Sequence, residues 1–74
     1  MDVARRREIR RVLRHDVRTP LAVILGRCEL LAAELQGPMT AEQHTAVDAI
    51  RRNADRLAGL LDEAVALLDQ TQAG

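Results

Sequence analysis

The sequence has no phenylalanine, tyrosine or tryptophan, and it has a single cysteine in 74 residues. Without aromatic side chains, a core has to be built from leucine, isoleucine, valine and alanine, which suits helices packed along apolar seams. Cys28 alone cannot form an intrachain disulfide, so nothing indicates an oxidising compartment. The longest apolar runs, residues 21–25 and 64–68, are far shorter than the ~20 residues that span a bilayer, and no signal-peptide pattern opens the sequence. We therefore expect a cytoplasmic domain, although a longer parent protein could be anchored in a membrane.

Apolar residues recur at helical spacing in two long segments, each member three or four residues after the last. The first seam consists of Leu13, Val17, Leu21, Ile24, Cys28, Leu31 and Leu35. The second seam consists of Val47, Ile50, Ala54, Leu57, Leu61, Ala64 and Leu68. The seams predict one helix over about residues 4–36 and another over about residues 41–71.

Residues 37–40 carry the signals of a turn between these helices. Gly37 can adopt the left-handed conformation that ends a helix, and Pro38 prevents continuation. Thr40, with Gln43 three residues later, fits a capping box. Because the connection is short, the helices should form an antiparallel hairpin. Residues 1–74 are thus predicted to be one all-α domain.

Further apolar residues lie outside the two main seams. They are Leu25, Leu30, Leu60, Val65 and Leu67. Two helices alone should not cover them, so we expect two hairpins to pair as a homodimeric four-helix bundle.

Charge is distributed unevenly along the sequence. Residues 1–18 hold seven arginines and three acidic residues, whereas residues 29–74 hold three arginines and eight acidic residues. Such asymmetry indicates either a nucleic-acid partner or two ends that lie side by side. A hairpin would place residues 5–14 beside Asp62, Glu63 and Asp69, which explains the asymmetry without nucleic acid.

The stretch RHDVRTPL, residues 14–21, interrupts the regular pattern. On a helical wheel His15 lies about 165° from the centre of the first seam, so it should point outward. The same outward face carries Arg11, Arg18, Thr19 and Ala22. A neutral imidazole is a competent nucleophile, and arginines hold anionic groups. This face suits acceptance of a phosphoryl group better than binding of a metal ion, which the arginines would repel.

Residues 15–21, HDVRTPL, resemble the H-box of sensor histidine kinases: His, Glu or Asp, a hydrophobe, Arg, Thr or Asn, Pro, Leu. All seven positions fit, and the following AVILGRCELL also resembles the family pattern. The resemblance covers essentially the whole chain and implies a dimerisation and histidine phosphotransfer domain. Arg14 departs from the family, which most often has serine there, and changes the charge beside the histidine.

The resemblance implies a role for each matching residue. His15 would be the phosphoacceptor, taking the γ-phosphoryl group of ATP from a separate catalytic domain and passing it to an aspartate of a response regulator. Asp16 would orient the His15 ring. Thr19 would position the water for a phosphatase reaction, and Arg18 would contact the phosphate or the catalytic domain.

The sequence lacks a glycine-rich or asparagine-bearing nucleotide-binding segment. We therefore expect this domain to bind no cofactor and not to phosphorylate itself, with ATP and Mg²⁺ used by a catalytic domain located elsewhere. The expected partners are a second copy of the chain, that catalytic domain and the receiver domain of a response regulator.

Pro20 should disturb the first helix just beyond His15. Proline has no N–H, so the Asp16 carbonyl loses its usual partner and the helix should bend or loosen there. Two explanations stay open: the weak point lets the His15 region move between kinase, transfer and phosphatase arrangements, or it merely fits the helix to the bundle.

Three other interpretations compete with phosphotransfer. The His15–Asp16 pair is also a hallmark of metal-dependent HD-type phosphohydrolases, but those need further ligands, and His44 is expected to be a solvated residue near the turn. An arginine-rich nucleic-acid module would use residues 5–14. A purely structural helical hairpin would explain the seams and the turn, but neither the outward His15 face nor Pro20.

Overall fold

The computed structural model describes the backbone of residues 2–73 and the side chains of residues 2–70. Within that range there are three α-helices, α1 (Val3–Arg11), α2 (Arg18–Ala32) and α3 (Ala41–Ala73), and a π-helical turn, Val12–Asp16, called the π-turn below. The helix α1, the π-turn and α2 follow one another as a first arm, which packs antiparallel against α3 in a rod 52 Å long. The predicted all-α hairpin is confirmed. Among the described residues, no helix is both long and apolar enough to cross a membrane.

The core is a narrow line of side chains between the two arms. Its buried members are Leu21, Cys28, Ala54, Leu61 and Val65. Leu21, 4 % exposed, packs with Ala54 and Leu61 at the centre. Four of the five buried residues belong to the predicted seams, and Cys28 is a small buried apolar residue as predicted.

Burial departs from the sequence prediction at the edges of this line. Val65, expected to need a second hairpin, is buried within this one. Conversely, the seam residues Ile24, Ile50 and Leu57 are exposed at 43 %, 52 % and 45 %, and Leu35, beyond the end of α2, is exposed at 72 %. A contact between only two helices covers a narrow stripe of each, so the far side of each seam stays uncovered.

Ion pairs join the arms at the open end of the hairpin. Asp69 of α3 binds Arg10 and also Arg14, whose Nη2 lies 3.8 Å from Oδ2. Asp62 binds Arg18. The predicted approach of the basic and acidic ends is confirmed, although Asp62 pairs with Arg18 rather than with residues 5–14. Exposed pairs of this kind contribute at most about 1 kcal/mol each, so they align the arms more than they hold them together.

The helix α2 ends at Ala32, four residues before the predicted end at residue 36. The Leu35 N–H donates to the Leu30 carbonyl at 3.1 Å, and the Glu34 N–H donates to the Leu31 carbonyl at 3.0 Å. These two bonds form a Schellman motif with Glu34 as its left-handed residue, at φ 57°. Gly37, predicted to end the helix, instead has φ 123° within the turn.

The capping box at the start of α3 is confirmed. The Gln43 N–H donates to Thr40 Oγ1 at 3.0 Å, and the Thr40 N–H donates to Gln43 Oε1 at 2.8 Å. These bonds satisfy two backbone donors near the start of the helix and fix where α3 begins.

The carboxylate of Glu34 holds the turn against the start of α3. Its Oε1 accepts from the Met39 N–H at 2.9 Å and lies 3.2 Å from Nε2 of His44. The Met39 bond first, and then the His44 bond, lower the pKa of Glu34 below its ordinary 4.5. His44, in the first turn of α3, is therefore bound to Glu34 rather than freely solvated. These contacts offset the strain that a non-glycine residue bears at positive φ.

We predict that Glu34→Gln makes the domain less stable in a pH-dependent way. A carboxyl with a lowered pKa in the folded state stabilises that state above about pH 4.5, and the contribution is lost as the pH falls through the folded-state value. The difference in melting temperature between wild type and variant should therefore be largest near neutral pH and shrink in acid. Circular dichroism melts at several pH values measure it, with Glu29→Gln in the last turn of α2 as control. A difference that is constant with pH would contradict the assignment.

Candidate functional site

His15 lies in the π-turn, with its side chain 79 % exposed. The outward position predicted from the helical wheel is confirmed. Arg18, Thr19 and Ala22, predicted to share this face, are exposed as well. The ring is therefore open to a second macromolecule.

The carboxylate of Asp16 lies beside the His15 ring. Its Oδ1 is 3.1 Å from Nδ1 of His15. Adjacent residues of a helix do not ordinarily face each other, so their spacing in the sequence could not show this contact. A neutral ring that donates Nδ1–H to Asp16 carries its free lone pair on Nε2. The arrangement thus leaves the free lone pair of an exposed imidazole on Nε2.

The backbone around His15 is widened where Pro20 prevents an ordinary helix. The Val17 N–H donates to the carbonyl of Val12, five residues back, at 3.0 Å. Pro20 has no N–H for the Asp16 carbonyl, and in an α-helix its ring would press against that carbonyl. The π-turn ends at Asp16, so its wider geometry relieves this clash. The sequence predicted a distortion after His15, whereas the structure has it around His15.

The hydroxyl of Thr19 stabilises the same distorted segment. Its Oγ1 donates to the carbonyl of His15 at 2.9 Å. This bond supplies a donor where the backbone ladder is interrupted. The oxygen of Thr19 keeps its acceptor lone pairs on the exposed face, one turn after His15.

Two arginines that the sequence placed around His15 are engaged with carboxylates. Arg18 binds Asp62 on α3. Arg11 binds both Glu8 and Asp16, with its Nη1 3.2 Å from Oδ2 of Asp16. Sequence reasoning missed the Arg11–Asp16 contact because a five-residue spacing is not a neighbouring pair on an α-helix.

Within the described side chains, no group of three histidine, cysteine, aspartate or glutamate residues could hold a metal ion. The second histidine, His44, lies in the first turn of α3 and is bound to Glu34. Nothing in the described part therefore resembles the multi-helix ligand set of an HD-type phosphohydrolase.

The family model of the His Kinase A (phospho-acceptor) domain matches residues 5–71. The chain belongs to this family. It is therefore the phospho-acceptor domain of a histidine kinase, and domains of this family generally dimerise and act within two-component systems. No significant match was found among curated proteins or among solved structures.

We predict that Pro20→Ala straightens the π-turn of this phospho-acceptor domain. Alanine at position 20 can donate its N–H to the Asp16 carbonyl, which restores the α-helical ladder. The free energy of unfolding should rise by about 1–3 kcal/mol, a part of the ~3 kcal/mol that an interior proline costs.

Chemical denaturation measures this gain, and protection of the new backbone amide at position 20 from hydrogen exchange shows the restored bond. Pro38→Ala, in the interhelical turn, serves as control and should not raise stability in this way. A Pro20→Ala variant of unchanged stability, with a rapidly exchanging amide at position 20, would contradict the explanation.

Proposed function

We propose that His15 accepts the γ-phosphoryl group of ATP from a separate catalytic domain and passes it to an aspartate of a response-regulator receiver domain. The observation that carries the proposal is the exposed His15 ring, whose Nδ1 lies 3.1 Å from Asp16 and whose Nε2 is left as nucleophile. Asp16 thus selects the reactive nitrogen and orients the ring.

The transfer requires few groups from this domain. Nε2 of His15 forms a bond to the γ-phosphorus while the bond from that phosphorus to the leaving oxygen of ADP breaks. The proton on Nδ1 stays on the ring, and the Asp16 carboxylate stabilises the positive charge that develops there. In the second step the Nε2–P bond breaks as an oxygen of the regulator's aspartate bonds to phosphorus. ATP and Mg²⁺ arrive with the catalytic domain, so this domain supplies position and electrostatics.

Thr19 and Arg18 have proposed roles once a partner is docked. The hydroxyl of Thr19 donates to the His15 carbonyl, so its lone pairs are available to orient a water molecule that attacks the phosphoaspartate of the regulator. Arg18 would exchange its pairing with Asp62 for contact with the phosphate or the catalytic domain. Because the Arg18–Asp62 pair is exposed, breaking it costs little free energy.

A homodimer is proposed from the uncovered apolar surface. The accessible surface of the chain is 5510 Å², whereas a compact monomer of 8.2 kDa would have about 4500 Å². One apolar groove between the arms is lined by Leu21, Ile24, Ala49, Ile50, Asn53, Ala54 and Leu57. Leu60 and Leu67 are exposed further along α3. The same groove of a second copy would cover this surface and complete a four-helix bundle.

We predict that Ile50→Glu weakens the dimer strongly. A carboxylate at the centre of the groove would be desolvated in the bundle, so the dissociation constant should rise by roughly 100-fold or more. Sedimentation equilibrium measures it. Val23→Glu makes a similar change at an exposed residue outside the groove lining and should leave the dimer intact. Equal effects of the two variants would contradict the proposed interface.

We predict that the domain becomes phosphorylated on His15 when it is supplied with ATP, Mg²⁺ and a separately expressed histidine-kinase catalytic domain. The label should be acid-labile and alkali-stable, because a phosphoramidate is protonated and cleaved in acid. It should be absent in His15→Gln and retained in His44→Gln.

Label retained in His15→Gln would move the phosphorylation site. No label, with a catalytic domain that is active on its own substrate, would favour the alternative function of a structural helical hairpin without phosphotransfer.

A further inference from the structure

We propose that Arg11 is a positioning residue for phosphoryl transfer and acts through Asp16; this inference rests on the proposed function of His15. The guanidinium of Arg11 joins two carboxylates. Nη1 lies 3.2 Å from Oδ2 of Asp16, and Nη2 lies 2.6 Å from Oε1 of Glu8. Glu8, Arg11 and Asp16 together are called the Arg11 bridge below.

The Arg11 bridge holds Asp16 from a second direction. The carboxylate of Asp16 lies 3.1 Å from the His15 ring through Oδ1 and 3.2 Å from Arg11 through Oδ2. Nη1 of Arg11 also lies 3.4 Å from Oδ1, so Arg11 contacts both oxygens. Its contact with Oδ2 restricts rotation of the carboxylate more than the imidazole alone can. An oriented Asp16 in turn fixes the ring and favours the neutral form with the proton on Nδ1.

Glu8 limits the motion of Arg11 itself. Glu8 accepts from Nη2 at 2.6 Å and from Nε at 3.4 Å, so one edge of the planar guanidinium is hydrogen-bonded. The same hydrogen bond is the largest cause that lowers the pKa of Glu8 and raises the pKa of Arg11. Glu8 and Arg11 are therefore both charged near neutral pH, and their ion pair holds Arg11 beside Asp16.

The π-turn is what brings Arg11 to Asp16. On an α-helix, residues five apart point about 140° away from each other, at 100° per residue. In a π-helical turn an N–H bonds to the carbonyl five residues back, as Val17 does to Val12. Residues five apart then stack along one side. The Arg11 bridge thus requires the π-turn, and this links the distortion imposed by Pro20 to the orientation of His15.

A second arginine near His15 provides a matched control. Arg14 is adjacent to His15 in the sequence, but its guanidinium pairs with Asp69, 3.8 Å away on α3. Removing Arg14 deletes the same charge near the histidine without touching Asp16. A difference between the Arg11 and Arg14 variants therefore reports the contact with Asp16 and not the loss of a positive charge.

The first test compares Arg11→Met with Arg14→Met in the isolated domain. Two-bond ¹H–¹⁵N spectra of the imidazole rings, recorded at a pH high enough for neutral rings, give the fraction of His15 protonated on Nδ1. Arg11→Met should lower this fraction, Glu8→Gln should lower it less, and Arg14→Met should leave it as in wild type. His44 gives an internal control in the same spectra. If the fraction of His15 protonated on Nδ1 were the same in Arg11→Met as in Arg14→Met, the inference would be overturned.

The second test is a double-mutant cycle on the rate of phosphoryl transfer from a separate catalytic domain. Arg11→Met should slow the transfer roughly three- to tenfold, as loss of one ordinary hydrogen bond does. In an Asp16→Asn background the same change should have no further effect, since Arg11 acts through Asp16. An equal slowing in both backgrounds would overturn the inference. If wild type accepts no phosphoryl group, the proposed function fails, and the tautomer spectra alone still decide the role of Arg11.

Discussion

The hydrogen bond that Pro20 cannot make determines the shape of this site. An α-helix that contained Pro20 would press the proline ring against the Asp16 carbonyl. The backbone widens instead into the π-turn, Val12–Asp16, and resumes as an α-helix at Arg18. His15 lies inside the widened turn, so the same constraint that disturbs the helix also sets the position of the histidine.

The two sides of the first arm have different tasks. Its inner side provides Leu21 and Cys28 to the core and aligns the arm with α3. Its outer side carries the exposed His15 ring and the Asp16 carboxylate. Because the outer residues contribute little to packing, their chemistry can serve partners without loss of the hairpin. The widened turn is tolerated since α2 after it packs on α3 and the Arg10–Asp69 ion pair before it aligns the arm.

Local signals in the sequence predicted much of the fold. The capping box of Thr40 and Gln43, the two seams and the outward position of His15 all depend on residues three or four apart, which a regular helix places together. The approach of the basic and acidic ends followed from the hairpin. The family of the domain was evident from residues 15–21 and is confirmed by the match over residues 5–71.

The remaining features depend on departures from regular geometry. The contact of Arg11 with Asp16 needs a π-helical spacing, which a periodic pattern built on 3.6 residues does not represent. The early end of α2 follows from Glu34 in a left-handed conformation, which sequence preference would assign to glycine. The exposure of Ile50 and the burial of Val65 depend on the direction from which α3 meets the first arm. These are properties of the packed hairpin and not of either helix alone.

We propose that Asp16 holds Nδ1 of His15 and leaves Nε2 to react. The most direct measurement is the position of phosphorus on the ring, read from ³¹P and ¹⁵N spectra of the phosphorylated domain labelled with ¹⁵N-histidine. We expect a phosphorus–nitrogen coupling to Nε2 of His15. Phosphorus on Nδ1, or on any residue other than His15, would contradict it.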